Sequence, residues 1–308
     1  MMAFFANIFG YLLNFIYNFI GNYGVSIIFF CIIVKILMLP ISIKQQKSVK
    51  ASAKIQKKMK EIQFKYKNDP EKLNQATMEL YREEKISPFS GCLSAILQIV
   101  LIISVFYLVR SPLTYMKKID SSVLDKYKQI LSEENLTVGN GYPEIDILRE
   151  ISNLKNIEKE KISQEELDSM QINMEFLGLD LSQIPYKNAS NIKVFIIPLL
   201  YVLMSIISMR ITTMTQNKNQ KTKLIEAENK SSEEKQDDEN NKESSEDAAD
   251  MSDLMNQMNK NMTTMLPIMY LSVALVAPLG LALYWLVNSI LMIGERLLLN
   301  KIIKDEEN

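Results

Sequence analysis

Apolar residues in this chain gather into blocks long enough to cross a bilayer, and most of the charge lies between the blocks. A helix rises about 1.5 Å per residue and the hydrocarbon core is about 30 Å thick, so roughly 20 apolar residues cross it. Residues 24–43 form one such block, "GVSIIFFCIIVKILMLPISI", whose one charge is Lys35. Residues 86–110 form a second, apolar until Arg110. Residues 191–212 form a third, with Lys193 and Arg210 placed to snorkel from its two ends. The segment 261–299 is free of charge from Asn261 to Gly294, too long for one comfortable span. Pro278 and Gly280 punctuate it, which predicts a fourth span over 262–277 and a fifth over 281–299. A single kinked span is the alternative.

Residues 1–23 are uncharged as well, and Asn7, Asn14, Asn18 and Asn22 recur among Phe, Tyr and Leu at helical spacing. With no basic region at its start, this segment does not read as a secretory signal. The pattern predicts an amphipathic N-terminal interfacial helix, with a weakly apolar sixth span as the competing reading. Residues 44–85 read as a basic helical hairpin. Ile55, Met59 and Ile62 in one arm, and Leu73, Met78 and Tyr81 in the other, recur at helical steps around an Asn68-Asp69-Pro70 turn. Residues 111–190 mix short apolar runs with charges and predict some helix. In the loop 213–260, the acidic stretch 226–253 has too few apolar side chains to bury a core and is expected to be disordered. Residues 300–308 form a short charged tail.

Charge sets the orientation. The stretch 44–67 holds nine lysines and one glutamate directly after the first span. Positive-inside bias places it in the cytoplasm, so five spans leave the N-terminus outside and the C-terminus cytoplasmic. The formal net charge of −1 averages over segments of opposite sign. Cys31 and Cys92 lie in or beside apolar blocks, so no disulfide scaffold is expected. The chain has no histidine, which removes the usual metal ligand and neutral-pH general base. Its nine glycines form no phosphate-binding loop. Neither metal, cofactor nor catalytic chemistry is expected.

Lys35 is the position that asks for an explanation. An intramembrane lysine costs about 2.5–3.5 kcal/mol at a helix centre on insertion scales, so it should face protein or water. It lies eight residues from Ile43, about 12 Å of helix, which is farther than its stem reaches. No acidic side chain is expected inside the spans, and an ammonium without a counter-ion implies a wet cavity suited to something negative. Gln98 and Ser94 in the second span, Ser205 and Ser208 in the third, and Asn288 with Ser289 in the fifth can line that cavity. Each alone more often makes an interhelical hydrogen bond.

Three segments carry a family resemblance: "NYGVSIIFFCIIVKILMLPISIKQQKS", "KYKNDPEKLNQATMELYREEKISPFSGCLSAILQ" and "MLPIMYLSVALVAPLGLALYWLVNSILMI". In order and spacing they resemble the YidC/Oxa family of membrane protein insertases. The resemblance implies an all-α integral membrane protein of the bacterial plasma membrane, with five transmembrane helices around a hydrophilic groove open to the cytoplasm. Lys35 takes the place of the family's groove cation, usually arginine. Trp285 matches the tryptophan of the last span, and Gln98 the glutamine of the second. Lysine lacks the planar fork of arginine, the prolines common around that glutamine are missing, and the 111–190 and 226–253 segments are long.

What the resemblance implies is an insertase and chaperone for nascent membrane proteins, acting without nucleotide hydrolysis. Its groove residues are Lys35, Gln98, Ser205, Ser208, Trp285 and Asn288. Anionic lipids are expected partners of the basic hairpin, with the ribosome and a Sec translocon as further candidates and no sequence-specific nucleic acid. A channel or transporter and an assembly scaffold are the alternatives. The spans, however, carry no inverted repeat or acidic relay.

Overall fold

The computed structural model describes residues 2–67, 69–84, 90–134, 136, 141–155, 162–211 and 269–305. The acidic stretch 226–253, the start of the fourth span and the Asn68 turn position lie outside them. In chain order the helices are α1 (Met2–Ile20), α2 (Tyr23–Lys65), α3 (Pro70–Glu83), α4 (Ser90–Arg110), α5 (Pro112–Tyr115), α6 (Ser121–Glu133), α7 (Pro143–Lys155) and α8 (Gln164–Met170). There follow the strands β1 (Glu175–Phe176) and β2 (Leu179–Asp180), then α9 (196–211), α10 (269–276) and α11 (Leu279–Asp305). Among the described residues the fold is all-α apart from that one hairpin, in which Glu175 pairs with Asp180 and Phe176 with Leu179. Leu177 and Gly178 both take positive φ, at 51° and 75°, as a two-residue turn between twisted strands requires.

The chain divides into two compact units, residues 1–174 with 294–308, and residues 175–293. Among the described residues four stretches are long and apolar enough to cross a membrane: Ala3–Ile20, Tyr23–Lys47, Ile192–Ile211 and Leu279–Leu299; Ile99–Arg110 in α4 is a shorter apolar helix. Each carries large apolar side chains facing outward, such as Phe15 on α1, Leu37 on α2, Ile99 on α4, Leu203 on α9 and Ile290 on α11. Helices that expose such faces in every case fit a lipid solvent.

In the first unit, α2 joins the first span and the first hairpin arm in one helix of 43 residues. At about 1.5 Å per residue that is roughly 65 Å, twice the hydrocarbon thickness, so the basic arm continues the span as one helix. Asn22 caps its start by accepting a hydrogen bond from the Val25 N–H at 3.1 Å. Asp69 caps α3 by accepting from the Lys72 N–H at 3.1 Å, with Pro70 in the first turn where its missing N–H is harmless. The arms close on Ile55 and Leu80, both buried, while the Thr77 hydroxyl lies 3.8 Å from the Met59 sulfur. Met78, expected at this seam, is exposed. The buried row of α3 runs through Leu80 instead, on the adjoining face.

Helix α1 packs on α4, α2 and α5 through Ala6, Gly10, Leu13 and Ile16, and turns Phe4, Ile8, Tyr11, Phe15 and Phe19 outward. At Gly10 the approach is so close that a Cβ would stand 1.8 Å from the Tyr115 carbonyl oxygen. The stretch after α4 then lies along α1. The Lys118 ammonium donates to the Asn7 side chain at 2.7 Å and sits over the Tyr11 ring, and the Lys117 ammonium sits over Tyr17. The Asn173 N–H donates to the Tyr17 hydroxyl at 2.8 Å. Glu144, in the first turn of α7, accepts from the Thr114 N–H at 3.0 Å and from its hydroxyl at 2.7 Å, holding α5 in place. Behind this, Leu124, Tyr127, Leu131, Ile147, Leu154, Leu167 and Met170 form the buried core of α6 to α8.

Two outcomes follow. Gly10→Ala must move backbone, so it is expected to cost about 1–3 kcal/mol and to lower the thermal midpoint in detergent. Gly141→Ala, with open space around it, should stay within about 0.5 kcal/mol of wild type. Burial raises the carboxyl pKa of Glu144, outweighing the hydrogen bonds from Thr114 that lower it. The folded state therefore holds that proton above the pH at which the unfolded chain releases it. Stability is expected to fall as pH rises from about 4 through the raised pKa and to level off above it. Glu144→Gln should flatten that part of a thermal-midpoint profile against pH.

Candidate functional site

Lys35 stands one helical turn beyond Cys31 on α2, at the edge of the face that buries Tyr23, Ile27, Phe30 and Cys31. The residues after it, Ile36 and Leu37, point outward. The helix therefore turns its apolar side chains toward lipid and its ammonium toward protein. There the Lys35 Nζ donates to Oε2 of Glu295 on α11 at 2.7 Å. The side chains keep 20% and 13% of their surface, so the pair is largely shielded yet not sealed.

This corrects the expectation that no counter-ion exists within the chain. Glu295 follows Gly294 directly, one residue past the charge-free run but still inside the 281–299 span. The signal that could have found it is its spacing: Trp285, Asn288, Met292 and Glu295 recur along α11 at three- and four-residue steps. A carboxylate in register with that row is placed to face the same way.

In the second unit, α9 and α11 meet through matched rungs. Tyr201 packs against Trp285 with ring centroids 5.6 Å apart, and against Tyr270 of α10 at 5.9 Å. The Ser205 and Ser289 hydroxyl oxygens are 3.5 Å apart. The Ser208 hydroxyl lies 3.8 Å from the Met292 sulfur. The three rungs share a sequence offset of 84, so the two helices run in the same direction. Small hydroxyl side chains let the backbones approach and hold them with interhelical hydrogen bonds, the usual means of helix association in lipid. Helix α10 ends at 276 and Pro278 precedes α11, whose first N–H groups find partners in the loop that follows β2. The Leu279 N–H donates to the Gln183 carbonyl and the Gly280 N–H to the Leu181 carbonyl, each at 2.9 Å.

Four of the expected groove residues, Ser205, Ser208, Trp285 and Asn288, thus belong to the second unit. The first three take part in the α9–α11 contact, and Asn288 is half-buried on α11. Lys35 belongs to the first unit, as does Gln98 on α4, whose side chain lies outside those described. Among the described residues no group of three or more His, Cys, Asp or Glu is placed to hold a metal ion.

The chain matches the family described as 60Kd inner membrane protein over residues 15–307. It is similar to a protein named membrane protein insertase YidC from Caldanaerobacter subterraneus subsp. tengcongensis, 44% identical over 110 residues. That alignment covers 36% of this chain and 53% of the relative. The protein of the same name from Fusobacterium nucleatum is 44% identical over 101 residues, covering 33% of this chain and 49% of the relative. Another from Syntrophus aciditrophicus is 48% identical over 87 residues, covering 28% and 16%. The chain thus spans about half the length of the first two relatives and less of the third.

Proposed function

The chain belongs to the 60Kd inner membrane protein family, and from that membership we propose that it inserts newly made membrane proteins and helps them fold. It is a multi-pass membrane protein, and its relatives carry the name membrane protein insertase. The observation that carries the reading is Lys35, a cation held inside an apolar helix and turned from lipid toward a carboxylate. A residue so costly to keep in a membrane marks a functional site by default.

The work is physical rather than chemical. A substrate's apolar segment comes from the cytoplasm, and its hydrophilic tail enters a hydrophilic groove whose cation is Lys35. Moving polar groups into hydrocarbon without partners costs several kcal/mol each, on the order of 2–7 in transfer measurements, and this dominates the barrier. The groove lowers it by offering hydroxyls, amides and one cation along the path. Burial of the apolar segment in lipid, worth about 0.8 kcal/mol per CH₂, supplies the drive. No nucleotide is consumed and no covalent bond is made.

The N-terminus lies outside and the C-terminus in the cytoplasm, with the basic hairpin of α2 and α3 below the membrane. There its lysines meet anionic headgroups, ribosomes or nascent chains, and a Sec translocon is a further partner. The parallel course of α9 and α11 supports this topology, because a third and a fifth span must cross the same way. Helix α1 lies in the outer interface rather than across the membrane. Its support is that Asn7, Gly10, Tyr11 and Tyr17 all touch the stretch 115–118 or Asn173, outside the spans. A crossing helix would bring only one end to such residues.

The test uses proteoliposomes holding this protein alone and a single-span substrate with a short acidic tail. Protease protection of the tail is expected with wild type and Lys35→Arg. Lys35→Ala should reduce it about tenfold, which corresponds to ~1.4 kcal/mol of barrier. Equal protection with Lys35→Ala would take Lys35 out of the mechanism. No protection with wild type would favour an assembly scaffold or an obligatory Sec partner.

A further inference from the structure

We propose that Glu295 is a resident counter-ion which an incoming acidic segment must displace from Lys35, so that it decides which substrates the groove accepts. The proposal deepens the insertase reading and rests on it. The pair is made across chain positions 260 residues apart, between the first long membrane helix and the last. At 2.7 Å it is a charge-assisted hydrogen bond in a place largely shielded from solvent. An ammonium has three donors, and among the described residues Glu295 takes one. The 20% of the lysine side chain still exposed leaves a second carboxylate room to approach.

At rest such a pair serves the protein. It neutralises a cation in the apolar helix and keeps small anions and lipid phosphates from occupying it. For a substrate it acts as a tax. A ligand that needs Lys35 free binds with its intrinsic affinity reduced by the fraction of time the lysine is free. A neutral tail gains nothing from Lys35 and does not pay that tax. Acidic tails are then graded by how well they out-compete Glu295, which is specificity built from a difference of affinities. Arg296 adds a second cation next to Glu295, so a displaced carboxylate stays in a favourable field. No covalent step is involved; one carboxylate exchanges for another on the same ammonium.

Two readouts separate this proposal from the insertase reading. Binding is measured by fluorescence of a labelled single-span peptide with an Asp-rich tail, against its Asn-tailed counterpart, to the full chain in nanodiscs. Insertion is measured separately in proteoliposomes. Glu295→Gln is expected to tighten binding of the Asp-tailed peptide about tenfold, ~1.4 kcal/mol, and to leave the Asn-tailed peptide unchanged. Glu295→Asp should stay near wild type. The double variant Lys35→Gln with Glu295→Gln keeps a hydrogen-bonding pair without charge and should lose the preference for acid. Should Glu295→Gln fold poorly, the double variant still decides the matter, and retained preference for the acidic tail would overturn the proposal. So would Glu295→Gln that leaves the ratio of the two affinities as in wild type, or that weakens both alike as a purely structural pair would. A shifted ratio without any tail protection would leave Glu295 in its role and count against an insertase that works alone. Protection with an unshifted ratio would do the reverse.

Discussion

An ammonium inside hydrocarbon survives by reaching the interface, by finding water, or by meeting a carboxylate. Lys35 is too far along α2 for its stem to reach the end of the span, and the fold brings it Glu295 from the other end of the sequence. Much else follows from meeting that one requirement. The helix must rotate so that its cation faces protein, which sends Ile36 and Leu37 to the lipid side. The last helix must run far enough to place its first carboxylate beside the first long span. Each of the two charges is costly in that position without a partner, so each helps to account for the presence of the other.

Association of the remaining helices rests on close approach rather than on burial from water, because lipid is as apolar as the side chains it would replace. Gly10 under the Tyr115 carbonyl and the Ser205–Ser289 rung are two forms of the same solution. The first removes a side chain where two backbones meet, and the second uses a small one that also hydrogen-bonds. Where backbone leaves regular helix, other groups take over its hydrogen bonds. Glu144 holds the first amides of α5, and the Leu181 and Gln183 carbonyls hold those of α11. In a chain with so much apolar surface turned outward, these polar contacts specify which helix lies next to which.

The helical architecture and the apolar blocks were legible from hydropathy, since the length of a span is set by the bilayer and not by the rest of the chain. The break at Pro278 was legible for an equally local reason, a missing N–H. The seam of the hairpin was harder. Leu80 rather than Met78 is buried, because both satisfy a helical repeat and only the angle at which the arms meet chooses between them. The α9–α11 rungs were half visible. Ser205 and Ser208 stood out as polar residues in an apolar span, but their partners Ser289 and Met292 depend on the relative height of two helices.

The sequence by itself determined an all-helical membrane chain, the basic arm after the first span, the placement of one lysine within it, and a family. Each of these is carried by local composition or by a run of matching residues. Only the tertiary structure decided that the lysine is paired. Glu295 looks in sequence like the first charge past the end of an apolar run, the ordinary signature of a helix leaving the membrane. Its meaning comes from a distance of 2.7 Å to a residue 260 positions away. A charge's cost depends on what stands within a few ångströms of it, and spacing along a chain does not encode that.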